Sequence, residues 1–516
     1  MNAVLVQPLA PKTYWGFQYA VSIIGKGAPH PPLGLATLAA LLPQKWNLRI
    51  LDLNVAPLRD ADLRWADAVL VTGMLVHKDS MHAVISRAHK AGVRTVVGGP
   101  AASTRPEEFA DADHVFVGEA EGRLDELIAA LEGVQGPHLV SPAGDKKPDM
   151  AIAQVPRFDL LDRSRYTSMS VQVSRGCPFQ CEFCDIIELY GRNPRVKSPE
   201  QVLKELEELY RLGWRGSVFV VDDNFIGNRK EAAKLLPEVA RWQAEHRRPF
   251  ELYTEASVDL ASLPVLVDSM VEAGFTTVFL GIETPSAASL KETRKLQNLK
   301  LPLQESVMRL TRAGLEVYAG FIVGFDSDGE RIFEAQRAFI SGLPIAAAMI
   351  GLLTALPNTA LWRRLEKEGR LRSSSTGDQF GRPNFDPVLD ERRLLEGYRQ
   401  LLADIYEPAA FYARIESMVR DLGRGKARAL SVDALLMFVR ILIGVGVLSP
   451  RRFRFWRLFF KSITRPYAFS KAMSMAVQGE HLIRYTHEDV LPRIDQALAE
   501  IATPVVQRAA ASEARA

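Results

Sequence analysis

The stretch "SRGCPFQCEFCDI", residues 174–186, holds all three cysteines of a 516-residue chain, Cys177, Cys181 and Cys184, within eight positions. Three thiols cannot pair completely, and a cytosolic protein would not keep a structural disulfide, so a metal or redox centre is the better reading. Thiolates are soft ligands suited to zinc or to iron–sulfur clusters. A structural zinc wants four protein ligands, and no second cysteine pair completes one; His114, His138 and His246 lie far away in sequence. A cubane has four irons, so three cysteines leave one iron open to an outside ligand.

Working outward, the cysteines follow a strand-like run, "SMSVQVSRG", that opens a series of six. The others are "SVFVVDDNF", "FELYTEAS", "TVFLGIET", "VYAGFIVGF" and "AAAMIGLLTAL", each followed by helical spacing. That alternation predicts a parallel (β/α) barrel, complete or partial, over residues 168–372, with its chemistry on loops at the carboxyl ends of the strands. Upstream, residues 1–140 alternate strands ("AVLVQP", "LRILDLN", "AVLVTGM", "TVVGGP", "HVFVGEAEG") with helices at "PPLGLATLAALLP", "KDSMHAVISRAHKAG" and "RLDELIAALEG". They predict a doubly wound, Rossmann-like α/β domain with Gly73, Gly98, Gly99 and Gly118 at strand ends, where a backbone can approach a ligand closely. Residues 141–167 read as a linker. Residues 373–516 read as a mainly helical C-terminal domain, ending in a frayed "QRAAASEARA".

Composition is that of a folded enzyme, with 47% apolar and 24% charged residues. A net charge of +3 from 64 basic and 61 acidic residues is too balanced to argue for a nucleic-acid partner. "MNAVLVQPLA" runs straight into a strand, so a cytoplasmic location is expected. "ALLMFVRILIGVGVL", residues 434–448, is short for a spanning helix and contains Arg440. "RRFRFWRLFFK", Arg451 to Lys461, sets five basic residues among six Phe, Trp or Leu, a composition that suits either a helix on an anionic membrane surface or one that packs its aromatic side on the barrel with its basic residues solvated. Helical spacing places Phe453, Trp456, Phe459 and Phe460 on one face.

The spacing C-x3-C-x2-C, with the aromatic Phe183 before the third cysteine, resembles the radical S-adenosylmethionine superfamily. The resemblance implies a [4Fe–4S] cluster on Cys177, Cys181 and Cys184 whose open iron chelates S-adenosylmethionine, with electron transfer cleaving the sulfonium to a 5'-deoxyadenosyl radical. It also implies an electron donor such as flavodoxin or ferredoxin. "VVDDNF" (Asp222, Asp223, Asn224) falls where family members hold the methionine amino group. "GIET" (Gly281, Ile282, Glu283) and "GFIVGF" fall near the expected ribose and adenine.

A doubly wound unit joined to this barrel resembles the cobalamin-dependent branch of the superfamily. There the corrin lies between the domains, and "VTGMLVHKD", "VVGGPAAS" and "FVGEAEG" stand in the order of its cradle, with Gly98, Gly99 and Pro100 the strongest match. The D-x-H-x-x-G motif that supplies an imidazole to cobalt is absent. His77 and His82 follow the third strand, but no histidine ligand is expected. "KTYWGFQYAVSIIGKGAPHPPLGLATLAALLP", "LPNTALWRRLEKEGRL" and the region after "RPNFDP" look like the hopanoid C-2 methylase family, which implies methylation of an unactivated lipid carbon with methylcobalamin as methyl source. A cobalamin-dependent radical cyclase or rearrangement enzyme, a methylase of another substrate, and a redox-sensing module are the competing readings.

Overall fold

A computed structural model describes residues 1–502 apart from 135–137, 143, 145–146, 346, 376 and 426–431. The tail "QRAAASEARA" lies outside the described residues. Two parallel six-stranded sheets organise the chain. The first is β1 (Asn2–Gln7), β2 (Asn47–Asp52), β3 (Ala68–Thr72), β4 (Arg94–Gly98), β5 (His114–Phe116) and β6 (Leu139–Val140), in spatial order β2-β1-β3-β4-β5-β6. Its central strands are buried throughout, as Val- and Leu-rich strands covered on both faces must be. Separate apolar cores lie on its two sides, one around Met81, Ile85 and Phe109, the other around Leu35, Trp46 and Leu131.

The second sheet is built from β7 (Ser168–Val171), β10 (Ser217–Val220), β11 (Glu251–Ala256), β12 (Phe275–Glu283), β13 (Glu316–Val323) and β14 (Ala348–Leu352). A short antiparallel ladder, β8 (Ser174–Arg175) with β9 (Arg195–Val196), sits after the first of these strands. The order β14-β13-β12-β11-β10-β7 leaves β7 and β14 unpaired with each other, so the barrel is partial. Along β11 and β13, buried residues alternate with half-buried ones such as Tyr253, Glu255, Tyr318 and Gly320. The buried set meets the helices, so the half-buried set faces the concave side of the sheet.

Two regions shape that concave side. Residues 13–31 leave the first sheet and reach the barrel. Trp15 packs on Phe279 with ring centroids 4.8 Å apart, and His30 Nδ1 lies 2.8 Å from the Ser168 hydroxyl. Helix Pro466–Tyr485 covers the amino ends of the strands, where Lys471 Nζ donates to Thr276 Oγ1 at 2.8 Å. The C-terminal helices share one continuous core with the barrel, from Phe158 through Tyr398 to Ala497.

The helix Arg452–Ser462 corrects the expected aromatic face. Phe455 and Leu458 are the residues in the core. Trp456 donates its indole N–H to the Gly446 carbonyl at 2.9 Å, and Phe459 packs on Phe469 at 5.1 Å. Only Phe453 and Phe460, seven residues and nearly two turns apart, point outward. Among the described residues no helix is long and apolar enough to cross a membrane.

Candidate active site

The cysteine loop starts at a forced turn. Gly176 has φ +95°, and a Cβ there would lie 2.7 Å from the Gly191 carbonyl oxygen, so only glycine fits. Cys177 N–H then donates to that same oxygen at 3.3 Å. Further along, Glu182 N–H donates to Thr293 O at 3.0 Å, Leu361 N–H donates to Glu182 O at 2.9 Å, and the Glu182 carboxylate accepts from Arg364 Nε at 2.6 Å. The loop is thereby tied to the elements after β12 and β14. All three cysteines are free. Amide donors approach two of them: Gln297 Nε2 is 3.5 Å from Cys181 Sγ and Asn224 Nδ2 is 3.9 Å from Cys177 Sγ. Burial pushes the Cys177 and Cys184 thiols up, which keeps them protonated until a metal displaces the proton.

The predicted strand-end residues divide by role. Asp222 is buried and turned away from the concave side: Oδ1 accepts from Val173 N–H at 2.8 Å and Oδ2 from the Ser174 hydroxyl at 2.6 Å, pinning the strand that feeds the cysteines. Asn224 is held by Ser257, whose N–H donates to Asn224 Oδ1 at 3.1 Å. Asp223 makes one weaker contact, accepting from Gly176 N–H at 3.3 Å. Its charge is felt by Glu255, which the sequence did not single out. Burial, then the like charges of Asp222 and Asp185, pushes the Asp223 carboxyl up to about 6; burial and Asp223 push Glu255 up to about 7. A cation between them would relieve both.

The end of β12 is irregular. Register with β13 shifts between Gly281 and Glu283, and Glu283 adopts φ +64°, a left-handed conformation unusual for a glutamate and of the kind found at functional sites. That turn aims its carboxylate at Lys295, with which it pairs. A Cβ at Gly281 would meet both Glu283 Oε1 (2.5 Å) and Lys295 Nζ (2.7 Å). Burial alone would lower the Lys295 ammonium, but Glu283, Cys181 and Cys184 beside it hold it above its ordinary value. The same Nζ lies 5.7 Å over the Phe183 ring, which packs against Phe325. Lys295 and Gln297 were missed in the sequence, although "LKETRKLQN" sets them a short helix beyond "GIET".

At the carboxyl ends of β3, β4 and β5 lies a nearly bare ledge. Gly99 (φ +86°) crowds Thr72, where a Cβ would come within 2.0 Å of the hydroxyl. By contrast, a Cβ on Gly98 or Gly118 would meet nothing closer than 3.7 Å, and one on Gly122 nothing within 4 Å. Pro100 sits in the first turn of the helix Gly99–Thr104. Gly73 is closed in by Met81 and His77. His77 is buried and its Nδ1 accepts from Met74 N–H at 3.0 Å, while His82 pairs with Asp111 at 2.8 Å and stacks on Phe109. Gly98 is buried and Gly99, Pro100 and Gly118 are half-buried, and backbone this free of overlying side chains suits a large flat ligand such as a corrin.

The ledge is locked to the cysteine loop. Arg175 bridges Glu119 (2.6 Å) and Glu121 (2.8 Å), both directly after β5, and Arg195 reaches Glu119 at 2.8 Å. On the other side Asn358 Nδ2 donates to Thr104 O at 3.1 Å and Arg105 bonds Ser374.

A three-cysteine loop at the mouth of a parallel half-barrel, clamped to a glycine ledge on a doubly wound sheet, defines a radical S-adenosylmethionine enzyme with a corrin-binding domain. Residues 171–335 match the radical SAM superfamily, 23–128 the B12 binding domain, and 359–492 a domain of unknown function, DUF4070. The chain is 41% identical to an uncharacterized methyltransferase of Synechocystis sp. (94% of this chain, 92% of that protein). It is 35% identical to the hopanoid C-2 methylase of Rhodopseudomonas palustris (94% and 93%). The fold matches the cobalamin-dependent S-adenosylmethionine radical enzyme OxsB with a TM-score of 0.61 at 15% identity, over 97% of this chain and 83% of that one. The chain belongs to the cobalamin-dependent radical S-adenosylmethionine methyltransferase family that includes hopanoid C-2 methylase. It is a radical S-adenosylmethionine C-methyltransferase whose cofactors are a [4Fe–4S] cluster, S-adenosylmethionine and cobalamin.

Proposed function

We propose that this enzyme methylates an unactivated carbon of an apolar polycyclic lipid, the C-2 position of a hopanoid being the specific substrate, in the cytoplasm and with a flavodoxin or ferredoxin as electron donor. The observation that carries this reading is the 35% identity to a hopanoid C-2 methylase, sustained across 94% of the chain. The concave face supports it: Trp15 on Phe279, and Phe219 stacked on Tyr253 at 4.8 Å, offer flat apolar walls to a fused-ring skeleton.

Cys177, Cys181 and Cys184 would hold the cluster as thiolates, with Lys295 supplying a compensating positive charge and the Gln297 and Asn224 amides donating to sulfur. Asp223 and Glu255 would take the cationic amino group of S-adenosylmethionine between them, with Gly281 and Glu283 beside its nucleoside. Gly98, Gly99, Pro100 and Gly118 would carry the corrin, with Gly73 shaping the adjoining turn. When bound, these groups together supply a hydrogen-abstracting carbon radical and a transferable methyl group. The task of the chain is to hold the substrate carbon between the two domains and to exclude water and stray hydrogen donors.

Deletion of the gene in its host followed by lipid mass spectrometry tests the substrate. Loss of a hopanoid species heavier by one CH2 unit is expected; an unchanged lipid profile contradicts the assignment, and loss of some other methylated compound reassigns it.

A further inference from the structure

From Ala434 through Gly479 the chain runs 46 residues (479 − 434 + 1) without an aspartate or glutamate, while carrying eight basic residues. The structure folds the first part of this segment into two helices, Val432–Gly444 and Arg452–Ser462, joined by a short turn. Along the first, Leu435, Leu436, Val439 and Ile443 follow helical spacing, and all four are exposed. The stripe continues into the turn, where Leu448 is 74% exposed beside Val447, and across to the second helix, where Phe453 is 74% and Phe460 68% exposed. All of these large apolar side chains fall within residues 435–460, and a lone chain rarely leaves so many uncovered in one short segment.

We infer that this pair of consecutive helices is a docking surface for an anionic lipid bilayer, lying in the headgroup layer with its leucine and phenylalanine side chains below it. Charge selects the occupant. The exposed Arg452 and Arg454 have no acidic partner among the described residues, and Arg457 and Lys461 share the single carboxylate of Glu416. Arg452 instead lies over the Phe453 ring at 4.9 Å, a cation and an apolar anchor side by side, as the boundary between headgroups and acyl chains requires. A second copy of the chain would bring a like-charged face against this one, whereas anionic headgroups supply the missing negative charge. The two helices lie on the surface rather than spanning the bilayer, since neither is long enough to cross it. The surface deepens the lipid-substrate reading, yet it is testable without any hopanoid.

Holoenzyme is sedimented with vesicles of phosphatidylcholine alone or mixed with phosphatidylglycerol, at low and high salt. Binding is expected only to the anionic vesicles and should weaken with salt; Arg452→Gln and Arg454→Gln should each reduce it about fivefold. The exposed-site variant Leu436→Glu/Phe453→Glu/Phe460→Glu should abolish it while leaving the circular dichroism spectrum, cluster content and release of 5'-deoxyadenosine unchanged. No sedimentation of the wild type, or binding unaffected by the triple variant, overturns the inference. So does a concentration-dependent dimer, seen by analytical ultracentrifugation, that the triple variant dissolves. A lipid profile unchanged by gene deletion, with intact vesicle binding, would instead remove the substrate and leave the surface standing.

Discussion

Arg175, two residues before the first cysteine, places its guanidinium 2.6 Å from the carboxylate of Glu119, the second residue past the buried HVFV run of the N-terminal sheet. Together with Arg195, which reaches the same carboxylate at 2.8 Å, this side chain ties the loop proposed to hold the cluster to the ledge proposed to hold the corrin. Arg175 and Glu119 are both half-buried, and Glu119 keeps Arg195, but removing Arg175 leaves the buried Glu121 without its ion-pair partner, at a cost of about 3 kcal/mol. Arg175→Ala should lower the melting temperature and, more tellingly, reduce cobalamin retention on gel filtration while iron content stays normal. Full retention of cobalamin would show that the clamp does not set the cleft.

Lys295 supplies the positive charge beside Cys181 and Cys184. Net charge near a cluster sets its potential, so Lys295→Gln should make the centre harder to reduce, read as a downward shift in an EPR-monitored redox titration. The single variant also strands Glu283. Adding Glu283→Gln removes the stranded negative charge as well, so it should recover stability and shift the potential back toward the wild-type value, whereas a purely packing role would leave the potential unmoved in both variants.

Asp223 and Glu255 repel each other when both are ionised. Asp223→Asn and Glu255→Gln should each weaken S-adenosylmethionine binding at least about tenfold, or about 1.4 kcal/mol, in equilibrium dialysis, with little loss of stability because a like-charge contact is removed. Unchanged binding would move the amino group elsewhere.

Glu316 is buried beneath helix Pro466–Tyr485, 3.9 Å from Lys471, and burial pushes its carboxyl from 4.5 up to about 7. A folded-state pKa above the unfolded one means a stabilising contribution present below pH 4.5 and lost as pH rises through about 7. In Glu316→Gln the melting temperature should therefore fall less between pH 5 and 8 than in the wild type, by differential scanning calorimetry. An identical slope would show that Lys471 and Thr277 already hold the carboxylate ionised.

Much of this architecture was legible in the sequence because it rests on local pattern. Period-two and continuous apolar runs gave all six barrel strands and five of the six in the first sheet; the two-residue β6 is too short to carry a period. Cysteine clustering needed no tertiary knowledge. Asp222 was visible as a strand-end acid, yet its partners, Val173 and Ser174, are set by the neighbouring chain segment, and so its turn away from the concave side was not readable. Glu255 and Lys295 matter only through what the fold sets opposite them. The aromatic helix failed for the same reason: spacing defines a face, but Gly446 and Phe469, supplied by other elements, decided which rings were covered.

The most direct test is iron and sulfide analysis of anaerobically purified protein alongside Cys181→Ala, with 5'-deoxyadenosine release measured on both. The wild type should carry about four irons and about four sulfides and cleave S-adenosylmethionine, and the variant should do neither. Zinc in place of iron, absence of inorganic sulfide, or undiminished cleavage by the variant would contradict the central claim.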